Sequence, residues 1–160
     1  MVETSSPPSQ NAPSAPRTVT PVPAANAIAQ QSCNLHADVF NTLNALTDDL
    51  RRFHLRVELA IAPDLTVKFA PGTLHAIIHA ITTHAGTVAS HQRMLIAALR
   101  RSAGIALVFT YEDGGQNLAM QEAALRSAQQ QAALLGASLV IDVRSGIATT
   151  VTLILRDLPM

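Results

Sequence analysis

The sequence predicts an α+β fold in which helices cover one face of a single β-sheet. Three segments carry apolar residues at helical spacing, and six shorter segments have the alternating or continuously apolar pattern of strands. The strand segments come in pairs between the helices, which is typical of an α+β sandwich. The chain has 160 residues, of which 48% are hydrophobic and 3% aromatic, so it can bury one core that is mainly aliphatic.

The first 31 residues differ in composition from the rest, because they are rich in Pro, Ser and Ala and contain little that could be buried. We predict that residues 1–31 form a disordered tail and that the folded domain covers residues 32–160. Such a tail either tethers or regulates the domain or is an idle extension, and both interpretations stay open.

The first predicted helix runs from about His36 to Phe53. Its apolar stripe consists of Val39, Leu43, Leu46, Leu50 and Phe53. The alternating segments VELAIA and LTVKF follow, and because Pro and Asp stand between them, we predict a short hairpin. Thr73 is then the predicted N-cap of the second helix.

The second predicted helix spans residues 74 to about 89, and two strands, RMLIAALRR and GIALVFTYE, follow it. Its predicted core face consists of Leu74, Ile77, Ile78, Ile81, Ala85 and Val88. After the turn sequence DGGQN, the third helix runs from about Leu118 to Leu135, with Gly136 as its predicted C-terminal cap. The strands SLVIDV and ATTVTLIL close the domain as a last hairpin.

The second helix carries three histidines in the stretch LHAIIHAITTHA. At about 100° per residue, His75 and His79 fall opposite the core face, one helical turn apart. Such a pair can chelate zinc, but a site needs a third ligand and this helix contains no carboxylate, so we interpret both as surface residues. His84 lies at the edge of the core sector, where an acid–base role would require an orienting partner and a substrate pocket.

Composition excludes several function classes. Lys68 is the only lysine and the arginines are scattered, which argues against a nucleic-acid-binding face. No apolar run approaches the roughly 20 residues that a membrane helix needs. The N-terminus lacks a secretory signal, and Cys33 is a single cysteine that cannot form an internal disulfide, so we expect a cytoplasmic protein.

Three longer stretches carry a family resemblance: NLHADVFNTLNALTDDLRRFHLRVELAIAPDL, GTLHAIIHAITTHAGTVA and ALLGASLVIDVRSGIATTVTLIL. They are similar to the entry helix with first hairpin, the N-box helix, and the third helix end with closing hairpin of the catalytic ATP-binding domain of sensor histidine kinases. The chain from about Asn34 to Pro159 therefore resembles this GHKL or Bergerat-fold domain. The resemblance implies a two-layer sandwich, with a mixed sheet of about six strands and three helices on one face.

The resemblance also implies a nucleotide site, but the sequence departs from the family there. In the family, two N-box asparagines share one helix flank and the second holds the Mg²⁺ that bridges the phosphates; the matching positions are Ala80 and His84. Mg²⁺ requires oxygen ligands in octahedral geometry, which neither alanine nor imidazole provides.

The adenine box, DxGxG in the family, reads EDGGQN here. It aligns either as Glu112 with Gly114 or as Asp113 with Gly115, and in both alignments the last glycine is lost. One carboxylate could still accept from the adenine amino group. An ordinary Asp-Gly-Gly turn explains the same residues, so both interpretations stay open.

Two further family elements are missing. The phosphate-binding GxG that opens the third helix is replaced by EAA at residues 122–124, and Glu122 would repel a phosphate about 4 Å away by about 4 kcal/mol at a dielectric of about 20. The third helix follows Asn117 almost directly, where the family has a long lid, so there is essentially no lid here. The sequence thus predicts a vestigial pocket with no metal and no catalytic residue, formed by Ala80, His84, Glu112, Asp113, Gly114 and Gly115.

These departures predict a stand-alone, degenerate histidine-kinase-like domain, a pseudokinase that does not hydrolyse ATP and needs no cofactor. It would act as a protein-binding module in two-component signalling, with a histidine kinase or a response regulator as its partner. The alternative is a divergent kinase or ATPase domain that binds ATP and Mg²⁺. A lid-less histidine phosphotransferase would need a phosphoacceptor hairpin, but residues 1–31 contain no histidine and His36 is followed by Ala37. A scaffold with an incidental fold makes the same nucleotide prediction.

Overall fold

The computed structural model describes residues 32–113, 118–144 and 147–156. The predicted tail, residues 1–31, and the predicted pocket residues Gly114 and Gly115 lie outside these ranges. In chain order, the described elements are β1 (Cys33–Asn34), α1 (Leu35–Ala45), α2 (Thr47–Phe53), β2 (Arg56–Ala60), β3 (Thr66–Val67), α3 (His75–Val88), β4 (Ala89–Arg101), β5 (Gly104–Asp113), α4 (Leu118–Leu134), β6 (Ser138–Arg144) and β7 (Ala148–Arg156).

The main sheet has five strands in the order β2-β4-β5-β7-β6. Strand β2 is parallel to β4, with Arg56 opposite Arg93, and the other three pairs are antiparallel. The sheet is therefore mixed, as predicted, with five strands where about six were expected. The sixth segment, β3, forms a separate two-stranded antiparallel sheet with β1, in which Val67 lies opposite Cys33.

The predicted hairpin between VELAIA and LTVKF is therefore wrong, because β2 and β3 belong to different sheets. Both segments have the alternation of a strand, but alternation does not specify a partner. The inner face of β2 gains its contacts from β4, where Val57 and Leu59 lie opposite Met94 and Ile96. Pairing with β4 places β2 in a large buried layer, which a hairpin with β3 could not do.

Helices cover only one face of the main sheet, which confirms the α+β sandwich. Along β5, Phe109 and Tyr111 point towards the helices and are almost completely buried. Along β4, Leu95 and Leu99 point the other way and are 42% and 50% exposed. Because side chains alternate across a strand, this difference in exposure distinguishes the two faces of the sheet.

The first predicted helix is divided into α1 and α2 at Leu46, so the domain has four helices where three were predicted. Leu46 has φ −99° and ψ 14°, and the hydroxyl of Thr47 donates to the carbonyl of Asn44 at 2.6 Å. A side-chain hydroxyl that bonds a backbone carbonyl competes with the regular helix and bends it. The predicted apolar stripe nevertheless packs inwards, because Leu46 is 5% exposed at the bend itself.

Helix α3 packs as predicted, since all six residues of its predicted core face are buried. The predicted N-cap is wrong: Leu74 is the cap residue, and the hydroxyl of Thr73 donates to the carbonyl of Ala70 at 2.6 Å. Gly86 lies directly against the Phe53 ring of α2, where a Cβ atom would meet the ring carbon Cγ at 2.4 Å. The two helices therefore approach each other at a position that only glycine fits.

The C-terminal third of the domain follows the prediction closely. Gly136 has φ +72° after α4, and the N–H of Ala137 donates to the carbonyl of Ala132 at 2.9 Å. Glycine adopts this left-handed conformation without the steric penalty of a Cβ atom, so the predicted C-terminal cap is confirmed. Strands β6 and β7 then form the predicted closing hairpin, with Ser138 opposite Ile154.

Candidate functional site

The inner face of the sheet and α3 bring His84 and Tyr111 into direct contact. The imidazole Nδ1 of His84 lies 2.6 Å from the phenol oxygen of Tyr111, within hydrogen-bond distance. The rings meet edge to face, with centroids 5.6 Å apart and planes at 64°. His84 is 4% exposed and Tyr111 is 2% exposed. The pair is therefore part of the interior, whereas the helical projection placed His84 only at the edge of the core sector.

The local pattern explains why these two residues meet. Tyr111 lies on the same face of β5 as Phe109, and its partner in the neighbouring strand β7 is Thr149, which is also fully buried. His84 lies one turn after Ala80 on α3, and Ala80 is partly buried against the core. The flank of α3 that would carry the two family asparagines thus faces the interior with one methyl group and one imidazole bonded to a phenol.

Glu112 lies on the other side of the sheet. It follows Tyr111 along β5, so its side chain projects from the opposite face, where it is 59% exposed and contacts the imidazole of His91. Asp113 is the last residue of β5 and lies opposite Ala89, and its side chain is outside the described atoms. The structure therefore brings Ala80 and His84 to one flank of α3 but does not bring Glu112 to them.

The chain between β5 and α4 is short. Strand β5 ends at Asp113 and α4 begins at Leu118, so only residues 114–117 connect them. Residues 122–124, the predicted counterpart of the phosphate-binding GxG, fall in the second turn of α4. Backbone N–H groups beyond the first turn of a helix already bond to carbonyls within it, so they do not form an anion site there.

The other two α3 histidines are exposed, as predicted, but one has an acidic neighbour that the sequence did not reveal. His79 Nε2 lies 3.4 Å from a carboxylate oxygen of Asp49 on α2. Asp49 also pairs with Arg52 at 3.5 Å. Among the described residues, no group of three His, Cys, Asp or Glu side chains could hold a metal ion. The contact is thus a polar contact between two helices at the surface.

Sequence reasoning missed Tyr111, the residue that fixes the environment of His84. The sequence could have indicated that Tyr111 has a hydrogen-bond partner, because a tyrosine that is buried on the inner face of a strand usually has one. Which partner it finds depends on how α3 lies across β5.

Within the described parts of the chain, no helix is long and apolar enough to span a bilayer.

No protein-family model matches the chain, and no curated protein matches it. Solved structures do. The Acinetobacter baumannii histidine kinase AdeS matches with a TM-score of 0.64 at 15% identity, over 78% of this chain and 66% of that one. The mycobacterial sensor histidine kinase MprB matches with a TM-score of 0.63 at 15% identity, over 81% of this chain and 100% of that one.

Two further structures agree. The catalytic domain of the histidine kinase ThkA matches with a TM-score of 0.64 at 8% identity, over 79% of this chain and 96% of that one. Full-length ShkA in complex with AMPPNP matches with a TM-score of 0.61 at 10% identity, although the match spans only 30% of that chain. Identities this low establish architecture rather than chemistry. The chain has the fold of the catalytic ATPase domains of histidine kinases.

Proposed function

We propose that this domain does not hydrolyse ATP and that it acts through protein contacts in two-component signalling in the cytoplasm. Its partner would be a histidine kinase or a response regulator. One observation carries the proposal: His84, which the resemblance matches to the family's metal-holding asparagine, is a buried imidazole within hydrogen-bond distance of the Tyr111 hydroxyl. A domain that has this fold but no working nucleotide site would act through contacts made by its surface.

The chemistry of Mg²⁺ supports this reasoning. The ion prefers oxygen ligands, keeps several of its waters and demands octahedral geometry. At His84 it would meet a nitrogen ligand that is 4% exposed and already in contact with a phenol, and at Ala80 it would meet a methyl group. Both replacements remove oxygen ligands from the flank of α3 that the resemblance assigns to the metal.

The phosphate side of the site supports the same conclusion. A lid of the family's length cannot be accommodated in residues 114–117. The residues at the place of the GxG lie inside α4, where their N–H groups bond within the helix. Triphosphate would therefore lack both the metal and the backbone donors that offset its charge.

Calorimetric titration with ATP, with and without Mg²⁺, tests the nucleotide half of the proposal. We expect affinity no tighter than about 1 mM, which corresponds to about −4 kcal/mol, and no gain on adding Mg²⁺. A Mg²⁺-dependent dissociation constant near 1 μM, about −8 kcal/mol, would contradict the proposal. Asp113→Asn serves as a matched variant. Because the parent chain is expected to bind ATP only weakly, this substitution should not change the measured affinity.

The protein-binding half requires its own test. Purified histidine kinases and response regulators from the source organism are titrated against the full chain and against a chain that lacks residues 1–31. We expect one of them to bind saturably in the micromolar range, about −8 kcal/mol. If none binds, the signalling role is wrong even though the nucleotide result stands.

A second candidate function is ATP binding by a divergent kinase or ATPase domain, with ATP and Mg²⁺ as cofactors. It is favoured by the fold, because ShkA, which shares that fold, was solved with the nucleotide analogue AMPPNP. Of the two candidate adenine contacts, Glu112 projects from the face opposite His84, so Asp113 would contact adenine and Asp113→Asn would abolish the affinity. A histidine phosphotransferase has less support, since the chain matches no phosphoacceptor motif.

A further inference from the structure

A second concave surface lies away from His84, where the end of α2 meets the starts of β2 and β4. It is an open cleft of about 650 Å³, within the size range of small-ligand sites. Its lining comes from residues 47–56 and from one residue of β4, and consists of Thr47, Leu50, Arg51, His54, Leu55, Arg56 and Gln92. None of the predicted nucleotide-pocket residues lines this surface.

The charge of the cleft has one sign. Arg51 and Arg56 line it together with His54, and no carboxylate does. The nearby acids are engaged elsewhere: Asp49 pairs with Arg52 and His79, and Glu58 bonds the guanidinium of Arg93, which holds the pKa of that arginine above its ordinary value.

Asp48 is exposed in the first turn of α2 and does not line the cleft. Within the described ranges, neither Arg51 nor Arg56 has a carboxylate at ion-pair distance. The two guanidinium groups are therefore available to an external anion.

The backbone around the cleft is unusual as well. Among the described residues, the two non-glycine positions with positive φ are His54, at 54°, and Gln92, at 55°, and both line this cleft. His54 ends α2 with its N–H donating to the carbonyl of Arg51, and Gln92 lies where the β4–β5 register shifts. Such conformations are uncommon for residues with a side chain and concentrate at functional sites.

We propose that this cleft binds the phosphate group of a phosphate monoester. Guanidinium groups match phosphate oxygens with paired N–H donors, and the Gln92 amide adds a neutral donor at the same surface. The phosphate could come from a small molecule or from a phosphorylated protein side chain. This site is independent of the vestigial nucleotide pocket, so it stands or falls separately from the proposed function.

The experiment is an NMR titration of the full ¹⁵N-labelled chain with inorganic phosphate. We expect saturable shifts confined to the amides of Arg51, His54, Arg56 and Gln92 at millimolar phosphate, and none with sodium chloride at the same ionic strength. The variants Arg51→Gln and Arg56→Gln should each weaken binding by about tenfold or more, because each removes charge-assisted hydrogen bonds. Arg126 is exposed on α4 and does not line the cleft, so the Arg126→Gln variant should bind phosphate as tightly as the parent chain does.

Two additional arms complete the test. A phosphoserine peptide that binds at least about tenfold tighter than inorganic phosphate would assign the ligand to a protein, and equal affinity would assign it to a small molecule. Thermal melts of the variants show whether they remain folded. Absent or unsaturable shifts, shifts that sodium chloride reproduces, or binding that Arg126→Gln weakens as much as Arg51→Gln would overturn the proposal. ATP that binds only here would lose affinity in Arg51→Gln, whereas ATP in the nucleotide pocket would not.

Discussion

The contact between Gly86 and Phe53 predicts whether an alanine at position 86 raises or lowers the free energy of unfolding. An alanine at position 86 would place its Cβ 2.4 Å and 2.5 Å from the Phe53 ring carbons Cγ and Cδ2, and 2.8 Å from the Phe53 Cβ. Carbon atoms normally pack at about 3.5–4.0 Å, so α2 and α3 would have to separate by about 1 Å. The clash involves the base of the phenylalanine side chain, so rotation of the ring alone cannot relieve it.

Two opposing effects determine the size of the change. Overpacking typically costs about 1–3 kcal/mol, and the depth of this overlap favours the upper end. Glycine to alanine in a helix contributes up to about 1 kcal/mol of stability in the other direction. We therefore expect Gly86→Ala to lower the free energy of unfolding by about 2 kcal/mol.

Urea unfolding followed by far-ultraviolet circular dichroism measures the effect. The pair Ser127→Gly and Ser127→Ala, at an exposed position in the middle of α4, measures the helix propensity difference without a packing change. In a Phe53→Ala background the cost of Gly86→Ala should fall, with a coupling energy of at least about 1 kcal/mol, because two of the three clashing atoms are gone. A Gly86→Ala protein as stable as the parent, or more stable, would refute the close packing of α2 on α3.

Two further predictions concern the buried His84–Tyr111 contact and the partly buried thiol of Cys33. Tyr111→Phe removes the hydroxyl that contacts His84 Nδ1 and should lower the free energy of unfolding by about 1–3 kcal/mol; an unchanged urea midpoint would show that this contact is not formed. Burial, with a smaller contribution from Asp38, raises the pKa of the Cys33 thiol above its ordinary value of 9.0. The thiolate fraction at pH 8 is therefore reduced, so alkylation of Cys33 should be slower than that of a free thiol and should accelerate in Asp38→Asn. A rate equal to that of a free thiol would contradict this prediction.

Several elements could be predicted because their signals are local. Helical spacing identified the core face of α3, and Gly136 identified the end of α4, since an αL cap needs a residue without a Cβ atom. The two consecutive strand segments SLVIDV and ATTVTLIL identified the closing hairpin. In each case the residues that produce the pattern also make the contacts, so no information from distant parts of the chain was needed.

The site was predicted only in part. Resemblance directed attention to the α3 flank with Ala80 and His84, and both lie on it. The sequence did not decide whether Glu112 or Asp113 is the adenine carboxylate. Only the pleat of β5 shows that Glu112 projects from the face opposite His84. The cationic cleft beside α2 escaped prediction, because no local pattern shows that Gln92 lies against residues 47–56 in the folded chain.

The amino-acid sequence by itself determined the α+β class, the order of most elements and the core face of α3, because hydrophobic period and turn chemistry act over a few residues. Tertiary structure alone decided that β2 pairs with β4, that His84 meets Tyr111, and that Gln92 lines the same cleft as Arg51 and Arg56. These arrangements depend on packing between segments that are distant in the chain. Several partners would satisfy the same local pattern, and the packing of the complete core determines which one forms.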